Sequence, residues 1–355
     1  MTRAPWVIVS IFVLLASFTA CHKAQTDHDS GSIEQDETES PLPETKPPPQ
    51  LNGTIDAEFR DVLNEFMGLN ERLDRIAARL KSANADLCET TQADIGLSVH
   101  TLNDYPEELR AAARHYLNVG TDLSVRTVRA GSAAQINGIL AGDRLTHING
   151  ESLIEGALFS DPRLGGQIAK AAFHKALDKT KRNEPAILKY TRRGQSFHAD
   201  LAVTRHCKLP VTLFFNENIN GHYIDGEIWM TSGLLREIKD DVQIAYIMAH
   251  EMAHALHEMK SGRKTPERTP EIELDADRVG LILLARAGYD PSQLATFWAQ
   301  QIDLFGADFF DGGQTQSDSH PDLKRRADNY ALTLSYIRAA GGDTDLLKAL
   351  IVAPQ

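Results

Sequence analysis

Two histidines four residues apart, with a glutamate beside the first, interrupt an apolar stretch: Ile244-Ala245-Tyr246-Ile247-Met248-Ala249-His250-Glu251-Met252-Ala253-His254-Ala255. On a helix of about 3.6 residues per turn, His250 and His254 project from one face, one above the other, so their imidazoles converge on a single ion. Ile244, Met248, Met252 and Ala255 fall roughly opposite. One face therefore anchors the helix in a core while the other floors a cleft. Glu251 is rotated by about 100 degrees from His250, too far round to be the natural third ligand, yet it reaches a water beside the ion. That makes it the general-base candidate. Asp240 or Asp241 caps the start of this helix, which runs to Met259.

A second helix follows. Thr269-Pro270 supplies an N-cap and a first-turn proline, and Gly288 a stop. Within it Glu273 and Asp277 are again four apart on one face. Without histidines upstream they would read as two solvent-facing acids. With them, Glu273 closes a site of two histidines and one glutamate for one zinc ion per chain, leaving the fourth position to water. Asp277 is placed to accept the free N–H of a ligand imidazole and hold its tautomer. His257 continues the face of His250 and His254, but one helix turns too little to wrap three donors around an ion, so it reads as cleft lining or structural. Ahead of these helices come a strand at Val211 to Phe215, a polar stretch from Asn216 to Asp225, and a strand at Glu227 to Thr231. This last strand, with Ile228, Trp229 and Met230, is the candidate edge on which an extended peptide pairs by backbone hydrogen bonds.

The stretches Ala249-His250-Glu251-Met252-Ala253-His254-Ala255, Glu273-Leu274-Asp275-Ala276-Asp277-Arg278-Val279-Gly280, Ala287-Gly288-Tyr289-Asp290-Pro291 and Ser319-His320-Pro321 together resemble the gluzincin metallopeptidases of the family that includes the CAAX-prenyl endopeptidases and bacterial envelope-quality-control proteases. The resemblance implies zinc held by His250, His254 and Glu273, with Glu251 as base. It also implies a role for His320 beside the metal, stabilising the oxyanion, and for Arg326 in supporting that region. The segment before Trp229 lacks the Asn-Ala that commonly precedes the family's edge strand.

The middle of the chain alternates short apolar runs with glycines at turns. Ile95-Gly96-Leu97-Ser98-Val99 opens it; then come a helix from Glu107 to Tyr116, a strand from Leu123 to Val128, a helix around Gln167 to Asp178, and a hairpin across Arg193-Gly194. His147 falls in a turn region and reads as structural. The run Gly131-Ser132-Ala133-Ala134, then Gly138-Ile139-Leu140-Ala141-Gly142-Asp143 and Ile148-Asn149-Gly150, resembles PDZ domains attached to bacterial envelope proteases. That resemblance implies a peptide groove with Ile95, Gly96 and Leu97 as its carboxylate loop and the helix around Ala169 to Ala176 as its far wall. The alternative is a domain that only positions or occludes its neighbour.

At the N-terminus, Arg3 precedes an uncharged apolar run from Trp6 to Ala20, shorter than the about 20 residues a membrane span needs, which reads as an export signal. Phe18-Thr19-Ala20-Cys21 resembles a bacterial lipobox with Phe in place of the usual Leu, implying lipidation of Cys21; a signal anchor and ordinary cleavage remain alternatives. His22, where inner-membrane retention favours Asp, inclines the destination to the outer membrane. Residues from His22 to about Asn52 are rich in Asp, Glu, Ser, Thr and Pro and read as a tether that contributes five of the chain's twelve net negative charges. No basic cluster suggests nucleic acid. Cys88 and Cys207 flank the middle segment and, in an oxidising compartment, are expected to pair, two buried thiols being the alternative.

The expected architecture is α+β: signal over 1–20, lipidated Cys21 and tether over 21–53, an amphipathic helix or helical pair over 54–90, a PDZ-like β-rich domain over 91–206, and a mainly helical metallopeptidase domain with a small sheet over 207–355. The expected function is a zinc endopeptidase facing the periplasm, anchored to the membrane by its lipid. It acts on extended protein or peptide substrates and meets envelope partners through the PDZ-like groove. The competing reading is a peptide-binding adaptor or chaperone with a degenerate zinc domain.

Overall fold

A single helix, Gly53–Ala83 (α1), carries Leu63, Leu73, Ile76 and Leu80 at helical spacing, all buried. At about 1.5 Å per residue it is long enough to serve more than one core. Near its start Leu63 packs with Leu102, Tyr105, Ala112 and Ala113; towards its end Leu73, Ile76 and Leu80 join the cluster around residues 244–256 and 276–284. The segment expected as a helix or a helical pair is thus one helix with a short 3-10 turn, Ala85–Leu87, behind it. The computed structural model of the protein describes residues 53–153, 162–181, 183–262, 269–295, 297 and 323–352. The signal, the tether, Cys21 and His320 lie outside these. No helix among the described residues is long and apolar enough to cross a membrane.

After α1 come β1 (Thr91–Asp94), β2 (Leu97–His100), α2 (Glu107–Leu117), β3 (Ser124–Val128), α3 (Ala133–Ile136), β4 (Arg144–Ile148), β5 (Glu151–Ser152), α4 (Pro162–Asp178), β6 (Ala186–Arg192), β7 (Gln195–Leu201) and β8 (Thr204–Cys207). One sheet runs β2-β3-β4-β6-β7, with β5 on β4, and buries Val125, Leu145, Ile148, Leu188 and Leu201 against Phe173 and Leu177 of α4. Arg193 (φ 50°) and Gly194 (φ 79°) make the two-residue turn between β6 and β7, with the left-handed backbone such tight hairpins require. His147 lies within β4, opposite Ser152 and Lys189, rather than in a turn. β1 and β8 pair antiparallel, Thr91 opposite Cys207, and a disulfide joins Cys88 to Cys207 at the foot of this ribbon.

The remainder holds β9 (Val211–Phe214), β10 (Gly221–Ile224), β11 (Glu227–Thr231), α5 (Ser232–Glu237), α6 (Asp241–Ser261), α7 (Pro270–Arg286), α8 (Leu323–Ala340) and α9 (Thr344–Val352). Its sheet runs β10-β11-β9, antiparallel then parallel. The expectation that Glu227 to Thr231 forms an edge is corrected here: β11 is paired on both sides, burying Ile228 and Met230 while Trp229 stacks on Phe214. Among the described residues the outer strands are β9 and β10, and β10, drawn from the stretch that reads as merely polar, is the one that supplies Tyr223 to Glu251.

α1 ties these parts together with charged contacts as well as apolar ones. Arg72 donates to Asp241 and to the carbonyls of Leu235 and Ile238, and Arg75 pairs with Asp241, the first residue of α6. Arg79 donates to the carbonyls of Ala287 and Gly288 at the end of α7 and lies over the Tyr289 ring. On the other side Asp74 pairs with Arg129, which also holds Asp94.

Candidate metal centre

α6 starts where Asp240 accepts the N–H of Val242 and stops at Gly262, whose φ of 63° the absence of a side chain allows. α7 starts with Thr269 as cap and Pro270 in its first turn. The two helices approach closely at Gly280: a Cβ there would lie 3.0 Å from the His250 nitrogen and 3.1 Å from its Cα. That approach sets Glu273 and Asp277 beside the histidines of α6.

His250, His254 and Glu273 are buried, and one ligand atom from each falls within 4.8 Å of the others. The His250 and His254 Nε2 atoms are 3.2 Å apart; Glu273 Oε2 lies 3.2 Å from the first and Oε1 3.5 Å from the second. A tetrahedral ion bound at about 2.0–2.1 Å has ligand-to-ligand edges of about 3.3 Å. The donor set therefore fits zinc in both kind and spacing. Burial alone would push the His250 imidazole down, but bonds to Asp277 and Glu273 hold it up, to about 9. Burial opposes ionisation of Glu273 too, yet the two histidines pull it well below the ordinary carboxylate range. The carboxylates around His250 thus favour positive charge on that imidazole.

Around this cluster, His250 Nδ1 lies 3.0 Å from Asp277 Oδ1. Arg326, buried on α8, donates to both oxygens of that carboxylate, at 2.7 Å from Nε and 2.6 Å from Nη2. The Tyr246 hydroxyl donates to Oδ1 at 2.9 Å. Ringed by such donors, Asp277 acts as an acceptor, which makes His250 Nδ1 a donor and turns the Nε2 lone pair to the site. Burial raises the Asp277 carboxyl, but the Arg326 charge and the bond from His250 hold it low.

Glu251 is buried next to His250, its Oε1 4.0 Å from His250 Nε2, while Oε2 accepts the Tyr223 N–H at 2.7 Å. Thr231 N donates to the Asn220 carbonyl, so the alternation of an antiparallel ladder turns the Tyr223 amide away from β11 and towards the cleft. His257 does not join the ligands; its Nε2 meets Asp275 Oδ2 at 2.6 Å.

The other expected site residues lie apart from this centre. In the β-rich middle segment the Gly96 N–H, expected to face a peptide carboxylate, already donates to Asp94 Oδ1, and the Gly96 carbonyl accepts from Arg129 N. Ile95 and Leu97 are buried in the sheet's core. Ile228 and Met230 are buried beneath β11 instead of lining an open edge. Two residues of the centre were not singled out by sequence reasoning. Tyr246 carried a signal, since it precedes His250 by four positions in the same apolar run; Tyr223 carried none, because its contribution is a backbone amide.

Residues 209–261 and 268–331 match the model of Peptidase family M48. A stretch of 135 residues is 30% identical to Mitochondrial metalloendopeptidase OMA1 of Arabidopsis thaliana, covering 29% of this chain and 26% of that protein. The chain thus spans about a quarter of the length of the curated relative it matches. No solved structure matches the chain. The family match takes in α6, all of α7 and the first half of α8, so His250, Glu251, His254, Glu273, Asp277 and Arg326 all fall inside it. Family match, relative and donor set together support a metalloprotease domain in the C-terminal part of the chain.

Proposed function

We propose that the protein is a zinc-dependent endopeptidase of the bacterial cell envelope that cleaves unfolded or misassembled polypeptides. The observation that carries the reading is the coincidence of two imidazoles and a carboxylate at tetrahedral spacing with a buried glutamate adjacent to them. A purely structural zinc site has no use for Glu251. His250, His254 and Glu273 would hold the ion, and Asp277 and Arg326 would fix His250. Zinc in such a site supplies Lewis acidity, polarising a carbonyl and acidifying water.

Glu251 takes a proton from the attacking water as its oxygen bonds to the peptide carbonyl carbon. It then gives that proton to the departing amine nitrogen as the C–N bond breaks. The Tyr223 amide aims the Glu251 carboxylate. An extended substrate pairs along the outer side of β10 through backbone groups other than the Tyr223 N–H, and such pairing selects for extended shape over sequence. His320, outside the described residues, is assigned the oxyanion on its resemblance alone. The envelope location rests on the apolar run ahead of Cys21, with Cys21 as lipid anchor, the outer membrane favoured, and envelope proteins as partners of the β-rich segment.

The decisive comparison sets wild type against Glu251→Gln on an unfolded protein substrate, with zinc content measured in both. Cleavage is expected to fall at least about 100-fold, in line with general-base losses, while zinc stays bound. Equal cleavage by both proteins refutes the mechanism.

A further inference from the structure

A tyrosine buried in an apolar helix face needs a partner for its hydroxyl. Tyr246 stands one turn before His250 on α6, 2% exposed, its ring edge-on to Phe297 at 5.4 Å. Its hydroxyl reaches Asp277 Oδ1, the same oxygen that faces His250 Nδ1. Arg326 holds that carboxylate from α8 through both oxygens. Tyr246 adds a hold from the ligand's own helix, so Asp277 on α7 and His250 on α6 are registered to each other by a bond parallel to the one they share. A phenylalanine would pack on Phe297 equally well and lose only this hold.

We propose that Tyr246 is a positioning residue of the metal centre: by donating to Asp277 Oδ1 it fixes the acceptor that keeps His250 in the tautomer with Nε2 turned to the metal. The proposal rests on reading His250, His254 and Glu273 as a zinc site. Tyr246 is not among the three ligand residues and acts through Asp277.

The test uses the purified full chain and zinc as the probe. Zinc dissociation constants are measured by chelator competition for wild type, Tyr246→Phe, Phe297→Leu, Asp277→Asn and the Tyr246→Phe/Asp277→Asn double variant. Metal-free thermal unfolding and the imidazole nitrogen NMR signals of His250 are recorded alongside. Tyr246→Phe is expected to weaken zinc binding about 10-fold, the lower end for loss of a partner behind a ligand, and to shift the His250 nitrogen signals of the zinc-loaded protein. In the Asp277→Asn background the same change is expected to cost nothing further, since the two act as one unit. Phe297→Leu is expected to lower the melting temperature without moving zinc affinity.

Wild-type affinity in Tyr246→Phe overturns the proposal, as does an undiminished loss in the Asp277→Asn background or an equal loss in Phe297→Leu. If Tyr246→Phe does not fold, 3-fluorotyrosine at position 246 keeps the ring and alters the hydroxyl's donor strength; unshifted His250 nitrogen signals then overturn the proposal. A wild type that binds no zinc removes the reading of the site together with the proposal. A zinc-loaded wild type with an indifferent Tyr246→Phe removes the proposal alone.

Discussion

Asp277 and Arg326 form the most exacting pair at the scale of single residues, because both are buried and each answers the other's charge. Removing one side chain strands the partner: a buried ion left uncompensated costs about 3–5 kcal/mol. Asp277→Ala is therefore expected to lower stability by that amount in chemical denaturation. It should also weaken zinc binding between about 10- and 100-fold, as losses behind a ligand do. Replacing both residues with apolar ones of similar size should restore much of the stability and none of the affinity. A double variant that recovered zinc binding would show that His250 needs no acceptor.

Between elements, the contact that matters most is the approach of α7 to α6 at Gly280, where a Cβ would crowd the His250 backbone. Gly280→Val must push the helices apart, and overpacking of this kind costs about 1–3 kcal/mol. Because Glu273 rides on the displaced helix, zinc affinity should fall more than stability alone would suggest; unchanged affinity would mean that the site lies outside the strained contact. The two helices were legible from the residues because their signals are local: caps at Asp240 and Thr269, a proline in the first turn, and ligands spaced by one turn. β10 was not legible. Gly221-His222-Tyr223-Ile224 has no alternation strong enough to mark a strand, and it becomes one by pairing with β11 above the metal helix. Mistaking β11 for the edge has the same origin, since its parallel neighbour β9 is joined to it across a stretch whose path the local residues do not announce. Arg326 meets Asp277 from 49 residues away, so only resemblance pointed to it.

Across the whole molecule, stability is expected to depend on pH through two buried histidines remote from the metal centre. Burial, reinforced by the Arg126 charge at His100 and the Lys81 charge at His206, lowers both to about 3. The unfolded chain takes up these protons near pH 6.5, so below that it binds more protons than the fold and stability falls as pH drops towards 3. Each histidine contributes a slope of up to about 1.4 kcal/mol per pH unit. Urea midpoints at pH 7, 5.5 and 4 should trace the decline, and His100→Gln with His206→Gln should flatten it; an unaltered slope would assign the acid sensitivity elsewhere. The Cys88–Cys207 bond, spanning 119 positions, has a different consequence at this scale. It makes the β-rich segment a covalent ring, so a protease that nicks the backbone once anywhere between the two cysteines releases nothing. On a denaturing gel the nicked chain should migrate as two fragments only after reduction, which would let the protein survive a cut that severs most chains of its length.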